Sequence, residues 1–262
     1  MHESAIQSDD NPGQTFADYT KLLGVAINSC TELARSIHFD KTHQWHVGLL
    51  TLYGTILELS HSIFILTKND SPIGIPILLR TLLEAAVDFN NLAKDRMYGY
   101  NMDAANASQW ILILKEAKSN SNPYLADIAA IPDLNTILQQ HQQELDKLKS
   151  KGYKALKHSE KFEISDMSLE YKSFYNFLCC ETHNNLRALH SRHAKISPDH
   201  LDYEMEYFSP IDPVANLQYL DSTAGILLSV TESIHEKLES GLADQINPLT
   251  EQLNSLREPW RA

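Results

Sequence analysis

The chain is poor in the residues and motifs that mark many catalytic and secreted folds. It has nine glycines in 262 residues, which argues against a sheet-rich or dinucleotide-binding fold with many tight turns. Two of its three cysteines, Cys179 and Cys180, are adjacent, so no disulfide framework is expected. Glycine-rich nucleotide loops, the Gly-x-Ser-x-Gly elbow and kinase signatures are all missing. The enzyme classes that those motifs define are therefore not indicated.

Neither an export signal nor a membrane-spanning segment is expected from the pattern of apolar residues. Residues 1–13 are polar, without the basic-then-apolar order of a signal peptide, and are expected to form a disordered tail before a single helical domain over 14–262. The most apolar stretch, 47–66, contains Glu58 and His61, so it is predicted to be a buried helix rather than a membrane span. These features predict a cytoplasmic protein with no membrane partner.

Acidic and basic residues are unevenly distributed along the chain. The net charge is −12, and the segment from Asp199 to Glu251 holds eleven acidic side chains against one lysine. A strongly acidic total opposes non-specific binding of nucleic acid. The segment from Lys147 to Lys161 instead carries six lysines. It leaves contact with RNA open, although a solvated lysine-rich helix end is the simpler interpretation.

Helix-forming residues dominate, and apolar residues recur at helical spacing along most of the chain. Short connections between long helices favour antiparallel neighbours. The sequence therefore predicts an all-α fold, a single multi-helix bundle of roughly seven or eight helices, with any strand confined to a short hairpin within 196–210. A loop is predicted over 152–166. The helices are predicted over 15–38, 40–67, 77–93, 98–118, 132–149, 168–193 with a break at 183–185, 213–238 and 248–256.

A line of polar side chains in an otherwise apolar helix points to a site. Arg80, Glu84 and Asp88 recur every four residues, so they lie in one narrow stripe. We expect this stripe to face a second polar line and to form a polar seam with it inside the helical core. Arg80 and Glu84 should then be largely buried, and at least one should hydrogen-bond to the Tyr175–Asn185 segment. The alternative is that the stripe is simply the solvent face of an amphipathic helix. The second line, at the same spacing, consists of Tyr175, Cys179, His183 and Arg187.

His183 is the strongest single candidate for a catalytic residue, with Arg80 and Glu84 beside it. A histidine with an arginine and a carboxylate can carry acid–base chemistry on a phosphodiester, since the histidine moves a proton and the arginine neutralises the phosphate. The alternative is a structural histidine that is hydrogen-bonded to a core carboxylate. The side chains expected to bind the ligand are Asp88, Tyr175, Asn184 and Arg187.

Two further features bear on the site. Glu181 projects away from His183 on a continuous helix, so it is expected to need a buried partner, for which Arg80 is a candidate. The histidine pairs at 43 and 46 and at 190 and 193 have no companion ligand at zinc-enzyme spacing. Neither a metal ion nor a cofactor is therefore expected.

Both polar lines resemble a bacterial all-helical family, the domain-of-unknown-function family 5677. Its pattern Leu-Leu-Arg-x-Leu-Leu-Glu-Ala-x-x-Asp is similar to residues 78–88, and its later Tyr-x-x-Leu-small-x-x-x-His is similar to residues 175–183. The resemblance covers residues 45 to 200 and implies no settled activity. A more distant likeness is to the HEPN helical nucleases, whose active site of Arg and then His is similar to Arg187 and His193.

Two classes of function remain open. The first is a metal-independent ribonuclease-like effector, in toxin or phage-defence biology, that uses His183 with Arg80 and Glu84, or else Arg187 with His193. The second is a non-catalytic ligand-binding or interaction protein whose polar seam only fixes the core. RNA or a small phosphorylated ligand is the expected partner, and a homodimer is compatible with the sequence. The two classes differ in whether the seam opens into a cleft bordered by the lysine-rich segment.

Overall fold

The structure is a computed structural model that describes residues 12–119, 121–183, 185–197 and 202–260. Helices make up 79% of it, and the sheet in the described residues is one two-stranded antiparallel hairpin. The predicted all-α class is confirmed. The elements are α1 (Pro12–Arg35), α2 (Gln44–Lys68), α3 (Ile75–Lys94), α4 (Gly99–Lys118), α5 (Ala126–Ala129), α6 (Leu134–Ser150), α7 (His158–Ile164), α8 (Ser168–Glu170), α9 (Asn176–Thr182), α10 (Leu186–His193), β1 (Ala194–Ile196), β2 (Tyr203–Met205), α11 (Pro213–Lys237) and α12 (Asn247–Arg257).

The predicted number of seven or eight helices was too low. A π-helical turn, Tyr171–Tyr175, joins α8 to α9 without a break, so the described part of the chain has eleven separate helices. The additional ones are short, and α7 lies in the segment that was predicted to be a loop. A helix of two turns or fewer has too few residues to show an amphipathic period, and it depends on tertiary packing for its stability. Phe162 supplies that packing for α7, since it is buried in the main core.

Helix α11 lies against α1, α2 and α3 and occupies the centre of the main core. Its start follows from sequence, because Asp212 caps the helix by accepting the backbone N–H of Val214 at 2.9 Å, and Pro213 occupies the first turn. Leu79 and Leu82 of α3 are fully buried in the same core. The long amphipathic helices therefore form the frame on which the shorter ones pack.

Helices α4 and α6 pack on each other in a smaller, separate cluster of buried side chains that includes Ile111 and Leu145. From the end of α6 the chain returns through residues 151–157 to α7, which packs on α3. The lysine-rich segment 147–161 therefore begins in α6, outside the main core, and ends in α7, which packs on the main core.

Helix α2 is long and apolar enough to cross a membrane by length and composition, and 28% of its most apolar window is buried. Its buried side chains, among them Leu49, Ile56 and Ile63, follow helical spacing, and the helix packs on α1, α3 and α11. Glu58 and His61 are exposed on other sides of the helix. The predicted buried helix is thus buried along one face, and the cytoplasmic location stays a prediction.

The hairpin and the interruption at 183–185 agree with the sequence prediction. Strands β1 and β2 pair from Ala194 opposite Met205, so the hairpin begins two residues before the predicted 196–210 segment. Asn185 caps α10 by accepting the backbone N–H of Arg187 at 3.0 Å. Of the predicted N-terminal tail, residues 1–11 lie outside the described residues, and α1 begins at Pro12.

Tyr53 connects three of the core helices through its buried hydroxyl group. The hydroxyl donates to the Cys30 carbonyl oxygen at 3.1 Å and lies 3.0 Å from Thr231 Oγ1. We expect Tyr53→Phe to lower the free energy of unfolding by about 1–2 kcal/mol in urea titrations, because buried polar partners lose a hydrogen bond. Tyr124→Phe is the matched control, since Tyr124 is 95% exposed and its replacement should change nothing. Equal effects of the two substitutions would contradict this assignment.

Candidate functional site

Arg80, Glu84 and Tyr175 form a hydrogen-bonded triad between α3 and the turn that leads into α9. The Tyr175 hydroxyl donates to Glu84 Oε1 at 2.7 Å, and Arg80 Nη2 donates to the same hydroxyl at 3.1 Å. Arg80 Nη2 also lies 2.9 Å from Glu84 Oε1, and the two side chains are 19% and 25% exposed. The predicted contact between the stripe and the second polar line is confirmed, and the solvent-face interpretation of this part of the stripe is wrong.

The π-helical turn places the Tyr175 ring against α3 and α7. The ring lies 4.9 Å from that of Phe162 and 5.3 Å from that of Tyr171, between centroids. The Arg80 guanidinium carbon lies 5.4 Å from the Tyr175 ring centroid, within the range of a cation–π contact. Aromatic packing therefore fixes the phenol at the position where it joins the two charges.

Asp88 lies at the centre of a second group of paired side chains, one helical turn further along α3. The Tyr98 hydroxyl donates to Asp88 Oδ1, and Lys161 Nζ of α7 donates to Asp88 Oδ2 at 2.9 Å. Asn91 adds a hydrogen bond to the Lys161 carbonyl oxygen at 2.9 Å. Asp88 thus joins α3 to the turn that follows it and to α7. Through Lys161, the lysine-rich segment borders the polar stripe.

The polar groups that join α3 to its neighbours hold fixed protonation states near neutral pH. Burial and the hydrogen bond to Glu84 raise the pKa of Tyr175, and burial beside the Asp88 charge raises the pKa of Tyr98. Burial opposes the charge on Arg80, but the Tyr175 hydrogen bond and the Glu84 charge outweigh it and raise its pKa. Since efficient acid–base catalysts have a pKa close to the working pH, these three groups suit a structural role.

Other predicted site residues lie apart from the triad. His183 is exposed at the end of α9, where its backbone N–H bonds to the Cys179 carbonyl oxygen at 3.0 Å. Arg187 is exposed on α10, and Asn184 lies outside the described residues. No hydrogen bond or ion pair in the described structure joins His183 to Arg80. Its catalytic role, and the ligand-binding roles of the other predicted residues, stay predictions.

The sequence prediction missed His158, the first residue of α7. Its Nδ1 atom lies 3.8 Å from Glu84 Oε1, and its ring centroid lies 5.7 Å from that of Tyr175. The signal that marks the start of α7 is Glu160, whose carboxylate accepts the backbone N–H of Lys157 at 2.7 Å. A glutamate at this position is half of a capping box. The prediction of a loop over 152–166 is therefore wrong for residues 158–164.

Glu181 has a different partner from the one predicted. Arg192, not Arg80, donates to Glu181 Oε2 at 2.6 Å and to the Glu181 carbonyl oxygen at 2.5 Å. The break at 183–185 lets α10 turn back beside α9, which brings a residue eleven positions later into reach. A continuous helix could not make this contact, and the prediction of Arg80 as the partner is therefore wrong.

A cavity of about 690 Å³ lies beside the hairpin, and we call it the hairpin cavity. It is enclosed by the 70–76 turn, α9, α10, residues 206–212 and the start of α11. Its wall contains Arg192 and His193 but not Arg80 or Glu84, so the polar seam does not open into it. Its other charged and aromatic lining residues are Asp70, Phe177, Glu181, Glu206, Tyr207, Phe208, Asp212 and Tyr219.

The wall of the hairpin cavity is held together by its own hydrogen bonds. His193 Nδ1 lies 3.1 Å from the Glu206 carbonyl oxygen, and Asp70 Oδ1 accepts the backbone N–H of Ile211 at 2.6 Å. Burial raises the pKa of Tyr219 to about 12, so its phenol is neutral. Among the described residues, no group of three or more His, Cys, Asp or Glu side chains is arranged to hold a metal ion.

These observations define an all-α domain whose helix α3 carries paired charges and whose hairpin borders a separate cavity. The chain matches the model of the family of unknown function DUF5677 over residues 46–200, and it belongs to that family. The resemblance on residues 78–88 and 175–183 is thus confirmed. No curated protein and no solved structure matches the chain. The likeness to the HEPN nucleases stays a prediction.

Removal of the bridging hydroxyl of Tyr175 tests the triad. We expect Tyr175→Phe to lower the free energy of unfolding by about 1–3 kcal/mol, because Glu84 and Arg80 each lose a partner in a half-buried setting. Urea titration measures the change. Tyr171→Phe is the matched control, since Tyr171 stacks on the same ring without bridging these charges. If the Tyr175→Phe protein were as stable as the wild type, the triad would not contribute to the stability of the fold.

The raised pKa of Tyr175 also predicts a pH dependence. The unfolded phenol loses its proton above about pH 10, whereas the folded phenol keeps it. The unfolded state then binds fewer protons, so stability is fully present below about pH 10 and falls as the pH rises further. Melting temperatures between about pH 8 and pH 11 should fall more steeply for the wild type than for Tyr175→Phe. If the melting temperatures of the two proteins fell in parallel as the pH rises, the raised pKa of Tyr175 would be refuted.

Proposed function

We propose that the protein is a non-catalytic ligand-binding protein, in which the polar seam fixes the packing of α3 and the hairpin cavity holds the ligand. The observation that carries this proposal is the separation of the two sites. The charges of the seam are paired with each other, whereas the concave surface with several kinds of polar and aromatic group lies elsewhere. This is the second of the two functions that the sequence left open.

The pairing within the seam supports a structural role for it. Glu84 accepts the Tyr175 hydroxyl from the π-helical turn and pairs with Arg80 on its own helix. Asp88 receives donors from two other elements, through Tyr98 and Lys161. Loss of one partner from such a half-buried pair leaves the other charge uncompensated, at a cost of several kcal/mol when burial is complete. These contacts specify which elements meet α3, and they pair Arg80 Nη2, Glu84 Oε1 and both Asp88 carboxylate oxygens within the protein.

The hairpin cavity has the properties of a small-molecule site. Its volume of about 690 Å³ falls within the range of known ligand pockets. Aromatic rings supply contact area, and a few charged groups supply orientation. Three segments that are far apart in sequence, around residues 70–76, 177–193 and 206–219, meet at its wall, so a bound ligand would tie them together.

Native mass spectrometry tests the proposal. After incubation with the low-mass fraction of a cell extract and rapid desalting, the wild type should retain a small-molecule adduct. Ala215→Trp should abolish the adduct, because Ala215 lines the cavity and the indole would fill it. Val214→Trp is the matched control, since Val214 is the neighbouring residue, is 63% exposed and does not line the cavity.

Two outcomes of this experiment would contradict the proposal. An adduct that survives Ala215→Trp would place the ligand elsewhere on the molecule. The complete absence of an adduct from the wild type would count against a binding function at this cavity.

One observation favours a second candidate, the metal-independent ribonuclease-like effector in toxin or phage-defence biology. Lys161 joins the lysine-rich segment to Asp88, and His158, whose side chain is 47% exposed, lies near Glu84. A histidine beside a carboxylate, next to exposed lysines, is a reasonable arrangement for binding and cleaving a phosphodiester.

Incubation of RNA with the protein in the presence of EDTA distinguishes the two functions. Under the ligand-binding proposal the wild type leaves RNA intact, and its expression does not slow growth of the host. Cleavage that is lost in His158→Ala or His183→Ala, with the fold retained by circular dichroism, would instead establish the nuclease. Cleavage lost only in Arg187→Ala and His193→Ala would assign it to the HEPN-like pair.

A further inference from the structure

We infer that the hairpin cavity recognises a small organic cation through its carboxylates and its exposed aromatic rings. The inference rests on the proposed function, since it names the chemical class of ligand for the same cavity. Carboxylates attract positive charge, and the faces of aromatic rings attract alkylammonium groups. The cavity wall offers both kinds of group.

The charge of the lining is negative, and its one arginine is already neutralised. Arg192 pairs with Glu181 at 2.6 Å, and both side chains are less than one-fifth exposed, at 17% and 18%. Glu206 lies 3.4 Å from Lys195, an exposed lysine outside the lining. The other two of the four carboxylates in the wall are those of Asp70 and Asp212. They form no ion pair with a basic side chain of the described residues.

Asp70 and Asp212 both line the cavity, and the backbone contact of Asp70 with Ile211, the residue before Asp212, joins their two segments. Each uses its Oδ1 atom to accept backbone N–H groups, from Ile211 at 2.6 Å and from Val214 at 2.9 Å. Within the described residues, neither carboxylate has a Lys, Arg or His nitrogen within 4.0 Å. Two carboxylates that have no cationic side chain beside them at one concave surface disfavour a phosphate and attract a cation.

Exposed aromatic rings line the same cavity as these carboxylates. Phe177 is 48% exposed and Tyr207 is 66% exposed, and Phe208 is fully exposed at the same rim. Exposed rings that gather around an acidic cavity are the arrangement that binds alkylammonium ions. A purely apolar ligand is disfavoured, because it would remove water from Asp70 and Asp212 without replacing their partners.

Calorimetric titration with matched probes tests the inference. The probes are choline and dimethylbutanol, the uncharged isostere of choline in which carbon replaces the quaternary nitrogen. Choline should bind, and it should bind at least about tenfold more tightly than dimethylbutanol because only choline gains the charge and cation–π contacts. Nα-acetyl-lysine amide, which keeps its charged ε-ammonium group, is a third probe. Its affinity relative to that of choline distinguishes a cation carried by a peptide from a free one.

Asp70→Asn and Asp212→Asn remove the charges while keeping the local structure. Asparagine retains the Oδ1 acceptor, tolerates the left-handed backbone of Asp70 (φ 53°) and is as good an N-cap as aspartate. Each variant should weaken choline binding by about tenfold and leave dimethylbutanol unaffected. Asp127→Asn, which removes an exposed carboxylate from α5, is the matched control and should bind choline like the wild type.

The outcomes separate this inference from the proposed function. Choline that binds no better than its isostere, or that is insensitive to both Asn variants, overturns the organic-cation class. A retained extract adduct that is neutral or anionic and is lost in Ala215→Trp overturns it as well, but leaves the ligand-binding function standing. Absence of any adduct overturns the proposed function itself.

Discussion

Charges in an apolar helix have to be paired before the helix can be buried, and this constraint organises the structure around α3. Arg80, Glu84 and Asp88 lie in a helix that is otherwise buried against α2 and α11. Their partners come from α7, from the turn after α3 and from the π-helical turn before α9. Because unpaired half-buried charges are costly, the stripe determines which elements pack on this face of the core.

This constraint explains why part of the site could be predicted from the sequence. Helical spacing is local, so the alignment of Arg80 with Glu84 follows from their positions alone. The Tyr175–Asn185 segment could be predicted as the partner because it carries a second polar line of the same spacing. The long helices and the interruption before Asn185 were predictable for a similar reason, since amphipathic period and capping are both short-range properties.

The other contacts of the site depend on tertiary packing, which the spacing of residues along the sequence does not determine. One interruption changes the direction of the chain, so Arg187 leaves the line that Tyr175 begins, and Glu181 meets Arg192 instead of Arg80. Helix α7 is stabilised by the packing of Phe162 rather than by its own period, and His158 was therefore not associated with Glu84. Position along a helix is predictable only as far as the helix continues.

The seam and the hairpin cavity lie apart, yet they share one element. Tyr175 is held in the seam, and two residues later Phe177 begins the part of α9 that forms the cavity wall. Glu181, further along the same helix, anchors α10 through Arg192. The triad therefore fixes the start of the helix whose remainder shapes the cavity. A structural seam and a binding cavity are consequently not competing explanations for the polar residues of 175–193, because the rigidity of the first positions the wall of the second.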